Sequence, residues 1–183
     1  MSSEKGIMSS EYIFRQLKGC CFTGDYHQWK LCRDIFVPHI KTAKSIMDLG
    51  CGNGFLLESL KLWSGTEFTP HGIDIVKSSI EDAQLLFPKH AENFSIIDMF
   101  TLEWTKKRYD VVLAPWIKNA MFLETIRMYL SKYPDSNVVF SVYDDEMGSL
   151  HDMVNYCNSN FQILSGPVIR PKLCAVITVQ FKQ

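Results

Sequence analysis

At 183 residues, with 46% hydrophobic and 21% charged side chains, the chain has the size and composition of one globular domain with a sizeable core. A formal net charge of −1 argues against a broad nucleic-acid surface. No apolar run approaches the roughly 18 residues of a membrane span, and the polar N-terminus lacks the apolar core of a signal peptide, so a cytoplasmic location without membrane contact is expected.

In chain order, residues 1–8 read as a disordered tail. Trp29, Cys32, Phe36 and Ile40 recur at helical spacing and predict a helix to Ile40, with Pro38 near its end. Ser45–Leu49 reads as the first core strand. The next helix carries Leu56, Leu60 and Trp63 on one stripe, with Asn53 placed to cap it. Phe68–Ile75 is strand-like. Lys77–Phe87 is helical and is stopped by Pro88. Phe94–Ile97 and Tyr109–Ala114 are strands, and 119–133 is a helix with Leu123, Ile126, Leu130 and Tyr133 in register. Asn137–Tyr143 is a strand, and Met147, Leu150, Val154 and Cys157 mark a further helix. Phe161–Leu164 and Cys174–Phe181 read as the last strands, with Gly166, Pro167 and Pro171 suggesting a hairpin-like return. Alternating strands and helices imply a mostly parallel sheet with helices on both faces. Residues 1–43 form a helical extension before the main domain of 44–183.

The chemistry concentrates in Ile46–Gly54. A buried strand carrying Asp48 breaks into Gly50-Cys51-Gly52-Asn53-Gly54 and then a helix. Glycines permit the positive φ of a tight turn and let the backbone approach a ligand. A dinucleotide fingerprint needs a third small residue at 55, where this chain has Phe55. Asp48 would repel a pyrophosphate and attract an ammonium. Asp74, twenty residues beyond Gly54, ends the second strand where an acid accepts from ribose hydroxyls. Six cysteines (Cys20, Cys21, Cys32, Cys51, Cys157, Cys174) show no C-x-x-C spacing and are expected as free thiols. Cys21, His27 and Cys32 match no zinc pattern, so no metal is expected. Lys106-Lys107-Arg108 reads as a solvated turn.

These residues resemble the class I S-adenosylmethionine-dependent methyltransferases. Their acid-x-G-x-G-x-G motif is matched by Asp48 to Gly54, their second-strand acid by Asp74, their third by Asp98, and their fourth strand by Tyr109–Ala114. The resemblance covers about 44–181. It implies an α/β, Rossmann-like, seven-stranded and mostly parallel sheet with the last strand antiparallel. It also implies S-adenosyl-L-methionine as cofactor and S-adenosyl-L-homocysteine as product. By the resemblance Asp48 lies near the methionine amino group, Asp74 holds the ribose, and Asp98 accepts from the adenine amino group. Ile75 and Met99 flank the base. Gly50, Cys51, Gly52, Asn53, Gly54 and Ala114 complete the expected cofactor set.

The acceptor leaves fewer marks, because an activated methyl group asks mainly for alignment and a dry site. Relatives that methylate adenine or glutamine carry an Asp/Asn-Pro-Pro-aromatic motif after the fourth strand. Here the segment is Leu113-Ala114-Pro115-Trp116. Trp116 walls the methyl-transfer site, stacks on an acceptor, or packs in the core. Tyr26, His27 and Trp29 stand in the extension that caps the site in many relatives, and His27 is a candidate base or a surface or capping histidine. Asp144-Asp145-Glu146 at a strand end would favour a cationic acceptor or form a solvated loop. A small-molecule acceptor is the leading expectation. The alternatives are an RNA or protein methyltransferase, a non-catalytic cofactor-binding or scaffold subunit, and a nicotinamide enzyme. Residues 1–45 hold seven Lys/Arg against four acids, a surplus too small to favour RNA.

Overall fold

The computed structural model describes residues 9–19, 22–143, 147–170 and 174–182. The predicted tail, Cys20, Cys21, the acidic run 144–146 and Pro171 lie outside them.

Seven strands form one sheet: β1 (Ser45–Leu49), β2 (Thr69–Asp74), β3 (Phe94–Ile96), β4 (Val111–Pro115), β5 (Asn137–Tyr143), β6 (Phe161–Arg170) and β7 (Cys174–Phe181). Their order is β3-β2-β1-β4-β5-β7-β6. The first five run parallel, and β7 lies antiparallel to both β5 and β6. The chain is thus the expected Rossmann-like α/β sheet. Among the described residues six α-helices accompany it: α1 (Ser10–Gly19), α2 (Tyr26–Arg33), α3 (Phe55–Ser64), α4 (Lys77–Leu86), α5 (Ala120–Lys132) and α6 (Met147–Asn160).

Strand side chains alternate between two cores, as a period of two requires. Met47, Leu49, Val112, Ala114, Val138 and Phe140 pack with α5 and α6. Ile46, Val111, Leu113 and Val139 pack with α3, α4 and the residues after α2. The near-continuous apolar runs of β4 and β5 follow from burial on both faces.

Two elements differ from the sequence expectation. The helix predicted from Trp29 to Ile40 is α2, which begins at Tyr26 and ends at Arg33, followed by a 3-10 turn over Asp34–His39. Its start is a capping box: the Asp25 carboxylate accepts from Gln28 N–H at 2.9 Å, and Gln28 Oε1 accepts from Asp25 N–H at 3.0 Å. Its end is set from a distance, because the Leu31 carbonyl accepts from Arg170 at 2.6 Å, and Pro38 offers no N–H to continue the helix. The second difference is β6, which runs through Gly166 and Pro167 to Arg170 rather than stopping at Leu164. Gly166 has φ +99°, and the pairing with β7 shifts register on both sides of Ser165. Pro167 is tolerated because β6 is an edge strand.

The N-terminal helices pack on α3. Trp29 stacks on Phe55 with ring centroids 5.3 Å apart, and its Nε1–H donates to Ser59 Oγ at 3.1 Å. Tyr12 donates to the Glu58 carboxylate at 2.7 Å.

His71 is buried on β2 with its ring 5.0 Å from that of Tyr109. Burial, helped by the charges of Lys107 and His90, lowers its pKa from 6.5 to about 4. The unfolded chain therefore binds a proton in that window that the folded chain refuses, and stability is lost as pH falls through it. Urea melts of wild type and His71→Leu from pH 7 to pH 4 test this. The variant should gain on wild type as pH falls, and a constant difference between them would refute the assignment.

Candidate functional site

The connection after β1 leads to β2 on one side, while β4 lies on the other. In such sheets the crevice at this switch point is where ligands bind. A cavity of about 290 Å³ opens there, lined by Asp48 to Gly52, Met99, Leu113, Ala114, Pro115 and Ser141 from the sheet side. Trp29, Arg33, Phe36 and Leu56 line it from the helical side.

The glycine loop is held by its own backbone. Gly50 N–H and Cys51 N–H both donate to the Ile73 carbonyl, at 2.8 and 2.9 Å. Gly52 N–H donates to Asp74 Oδ2 at 2.9 Å, and Gly54 N–H to the Cys51 carbonyl at 3.0 Å. Gly50, Gly52 and Gly54 all have positive φ, between 53° and 78°. A side chain at Gly50 would also meet Met99 Cε at 3.2 Å. With these four N–H groups engaged internally, the loop is no cradle for a pyrophosphate, which needs free donors.

Asp48 supplies the charge. It is 6% exposed at the cavity floor. Burial raises its pKa from 3.8 to about 7; the Arg33 charge opposes the rise and Asp74 adds to it. A buried acid of this kind is poised to take a cation or a donor. Cys51 is buried beside it, and its thiol is pushed far up by burial and by the two acids, so it stays protonated. Its Sγ lies where a side chain at Gly72 would be, 2.6 Å from that position. Gly72 is thus a requirement of the loop that no motif reading reveals.

The other expected residues take varied places. Asp74, at the end of β2, accepts from Gly52 N–H and, through Oδ1, from Val76 N–H at 2.9 Å. Asp98 is exposed beyond β3 and accepts from Phe100 N–H at 2.9 Å. Ile75 is 70% exposed. None of these three lines the 290 Å³ cavity. They stand at or just beyond the carboxyl ends of β2 and β3.

Asn53 is a strut. The cap of α3 is Gly54, while Asn53 Oδ1 accepts from Phe55 N–H at 3.3 Å. Its amide donates to the Gln16 carbonyl at 3.0 Å and to Gln16 Oε1 at 2.9 Å, tying α1 to the loop.

Trp116 is 6% exposed and packs edge-on against Phe140 and Tyr156, within the core on the α5–α6 side rather than in the cavity lining. Tyr26 accepts from Trp63 Nε1–H at 3.1 Å, and His27 is exposed; neither lines the cavity. The helical wall is made instead by Trp29, Arg33 and Phe36. Trp29 and Phe36 carry a helical signal in the sequence, and Trp29 also stands in the expected cap, whereas Arg33 carries no such signal. Among the described residues no group of His, Cys, Asp or Glu could hold a metal, and no helix is long and apolar enough to cross a membrane.

A family model described as a methyltransferase domain matches residues 40–145, more than half of the chain. No curated protein matches. Among solved structures, the PH0226 protein of Pyrococcus horikoshii OT3 is similar over 97% of this chain and 100% of that one, with TM-score 0.64 and 13% identity. The N-methyltransferase NodS of Bradyrhizobium japonicum WM9, in complex with S-adenosyl-L-homocysteine, is similar over 93% and 98%, with TM-score 0.61 and 9% identity. The methyltransferase domain of bacterial-CtHen1-CN is similar over 84% and 100%, with TM-score 0.59 and 16% identity. At such identities the structural likeness speaks for the fold, and the family model speaks for the enzyme. The chain belongs to the methyltransferase-domain family.

Proposed function

We propose that this enzyme binds S-adenosyl-L-methionine at the crevice between β1 and β4 and methylates a small-molecule acceptor, releasing S-adenosyl-L-homocysteine. The residues fit such a group. Asp48 offers a buried acceptor to the methionine ammonium, Gly50 to Gly52 permit close backbone approach, and Met99 and Ala114 provide apolar wall. Asp74 engages both oxygens with backbone N–H groups, and a carboxylate has further lone pairs for ribose hydroxyls. In this reading Asp98 and Ile75, beyond the ends of β3 and β2, would meet the adenine end, and Gly54 and Asn53 would hold the loop behind it. When bound, the cofactor supplies an activated methyl group; the chain contributes alignment and exclusion of water.

The observation that carries the small-acceptor reading is the wall of Trp29, Arg33 and Phe36. These residues face the glycine loop across one partly open cavity. An acceptor has to enter the space between them and Pro115 and Ser141, and a net charge of −1 offers little to a polyanion. Trp29 and Phe36 are the aromatic surfaces available there, while Tyr26, His27 and Trp116 act from outside the lining.

The reading is tested with methyl-labelled S-adenosyl-L-methionine and an extract divided into small molecules, RNA and protein. Label appearing in the small-molecule fraction supports it. Label confined to RNA or protein sinks the acceptor assignment.

Asp48 gives a second test. Its raised pKa means the folded state keeps a proton that the unfolded chain releases, so its contribution to stability is present below pH 3.8 and lost as pH rises through about 7. Asp48→Asn should therefore be more stable than wild type at pH 8 in urea melts, yet bind S-adenosyl-L-homocysteine about tenfold or more weakly by calorimetry. A variant that is both less stable and equally tight would contradict both the charge and the ligand assigned to Asp48.

A further inference from the structure

Three of the four crossovers between the parallel strands carry an α-helix: α3 from β1 to β2, α4 from β2 to β3, and α5 from β4 to β5. The fourth, residues 97–110 from β3 to β4, has only a 3-10 turn over Trp104–Lys106. A loop rather than a helix thus faces β2 and β3 on the side of the sheet that Met47 and Ile73 share with α5. A cavity of about 170 Å³ lies between that loop and the strands, and it shares no lining residue with the cavity at the glycine loop.

Two side chains in its wall carry polar groups where a core would be apolar. His71 stands in the middle of β2, opposite Met47 in register, and its ring lies 5.0 Å from that of Tyr109. The two residues are 3% and 5% exposed. Among the described residues, neither the His71 ring nor the Tyr109 hydroxyl has a hydrogen-bond partner. Buried polar groups are ordinarily paired, as the neighbouring Tyr129 is, whose hydroxyl accepts from Tyr109 N–H at 2.8 Å. Burial keeps the His71 ring neutral, so it presents one donor and one acceptor, and the phenol can act as either.

The rest of the wall sets size and charge. Met47, Ile73, Ile97 and Trp104 make it apolar, and the Trp104 Nε1–H is already given to the Met99 carbonyl at 3.0 Å. The exposed rim carries Lys106 and Lys107 with Glu92 and Glu103, so the two signs balance and no net charge is favoured. The volume suits a single ring, since an apolar cavity of about 150 Å³ takes benzene.

We propose that this cavity is a second binding site, for a neutral single-ring nitrogen heterocycle whose ring N–H and C=O groups pair with His71 and Tyr109. A purely apolar ring leaves both polar groups unpaired, and a charged ring gains nothing from the balanced rim. Met47 and Asp48 are consecutive on β1 and point to opposite faces, so the site stands whether or not the cofactor reading does.

The test is an NMR titration of the full chain, its histidine rings labelled with carbon-13, with 5-fluorouracil, fluorobenzene and 4-fluorobenzoate. 5-Fluorouracil should move the His71 ring signal, identified by its absence in His71→Leu, and saturate at about millimolar concentration. Tyr109→Phe and His71→Leu, checked for folding by thermal melts and read through the fluorine signal, should each bind 5-fluorouracil about 5- to 10-fold more weakly. Either variant should leave any binding of fluorobenzene within about twofold of wild type. A His71 signal that does not move overturns the proposal. So do unchanged 5-fluorouracil affinity in both variants, equal weakening of both neutral ligands, and 4-fluorobenzoate binding more tightly than 5-fluorouracil.

Discussion

One carbonyl organises the site. Ile73, at the end of β2, accepts from both Gly50 N–H and Cys51 N–H and so ties the exit of β1 to its neighbour. The chain is forced to turn there with positive φ, which glycines permit at Gly50, Gly52 and Gly54. Asp74, the next residue along β2, completes the clamp through Gly52. The turn leads into α3 and leaves Asp48 at the bottom of a crevice with only 6% of its surface exposed. The loop's shape, the acid's burial and the opening toward β4 are consequences of the same few hydrogen bonds. Without bare glycines and the space left by Gly72, Cys51 would have no place to pack.

The helical wall is a second system, built from different forces. It rests on aromatic contact, Trp29 on Phe55, and on polar ties from Asn53 to Gln16 and from Tyr12 to Glu58. It is also held from the opposite edge of the sheet by Arg170. Residues 22–36 are therefore fixed by contacts with both α3 and β6. The two charged residues that face the cavity come one from each system.

Much of this architecture is visible in the sequence because it rests on local signals. The apolar runs of β4 and β5, the glycine loop and the acids at strand ends are short-range patterns with single physical causes. What is hidden depends on distant partners. The end of α2 is set by Arg170, some 137 residues later, whose bond to Leu31 leaves no trace in the local pattern. Trp116 follows a site strand and reads equally as a site wall or as core, and only its contacts with Phe140 and Tyr156, distant in sequence, show the core packing. Arg33 is one more charged residue on a helix until Trp29 orients it. The capping box of Asp25 and Gln28 was the one local signal available for moving the start of α2 ahead of Trp29.

The strand order carries a consequence for synthesis. β5 acquires its outer neighbour only when β7 slots between it and β6, pairing Val138 with Val179 and Phe140 with Ile177. On a ribosome, Val138, Val139 and Phe140 are made well before the segment that covers their edge. A stalled or prematurely terminated chain lacking 174–181 would display an unpaired, Val-rich edge to other nascent chains, the condition under which strands recruit one another into aggregates.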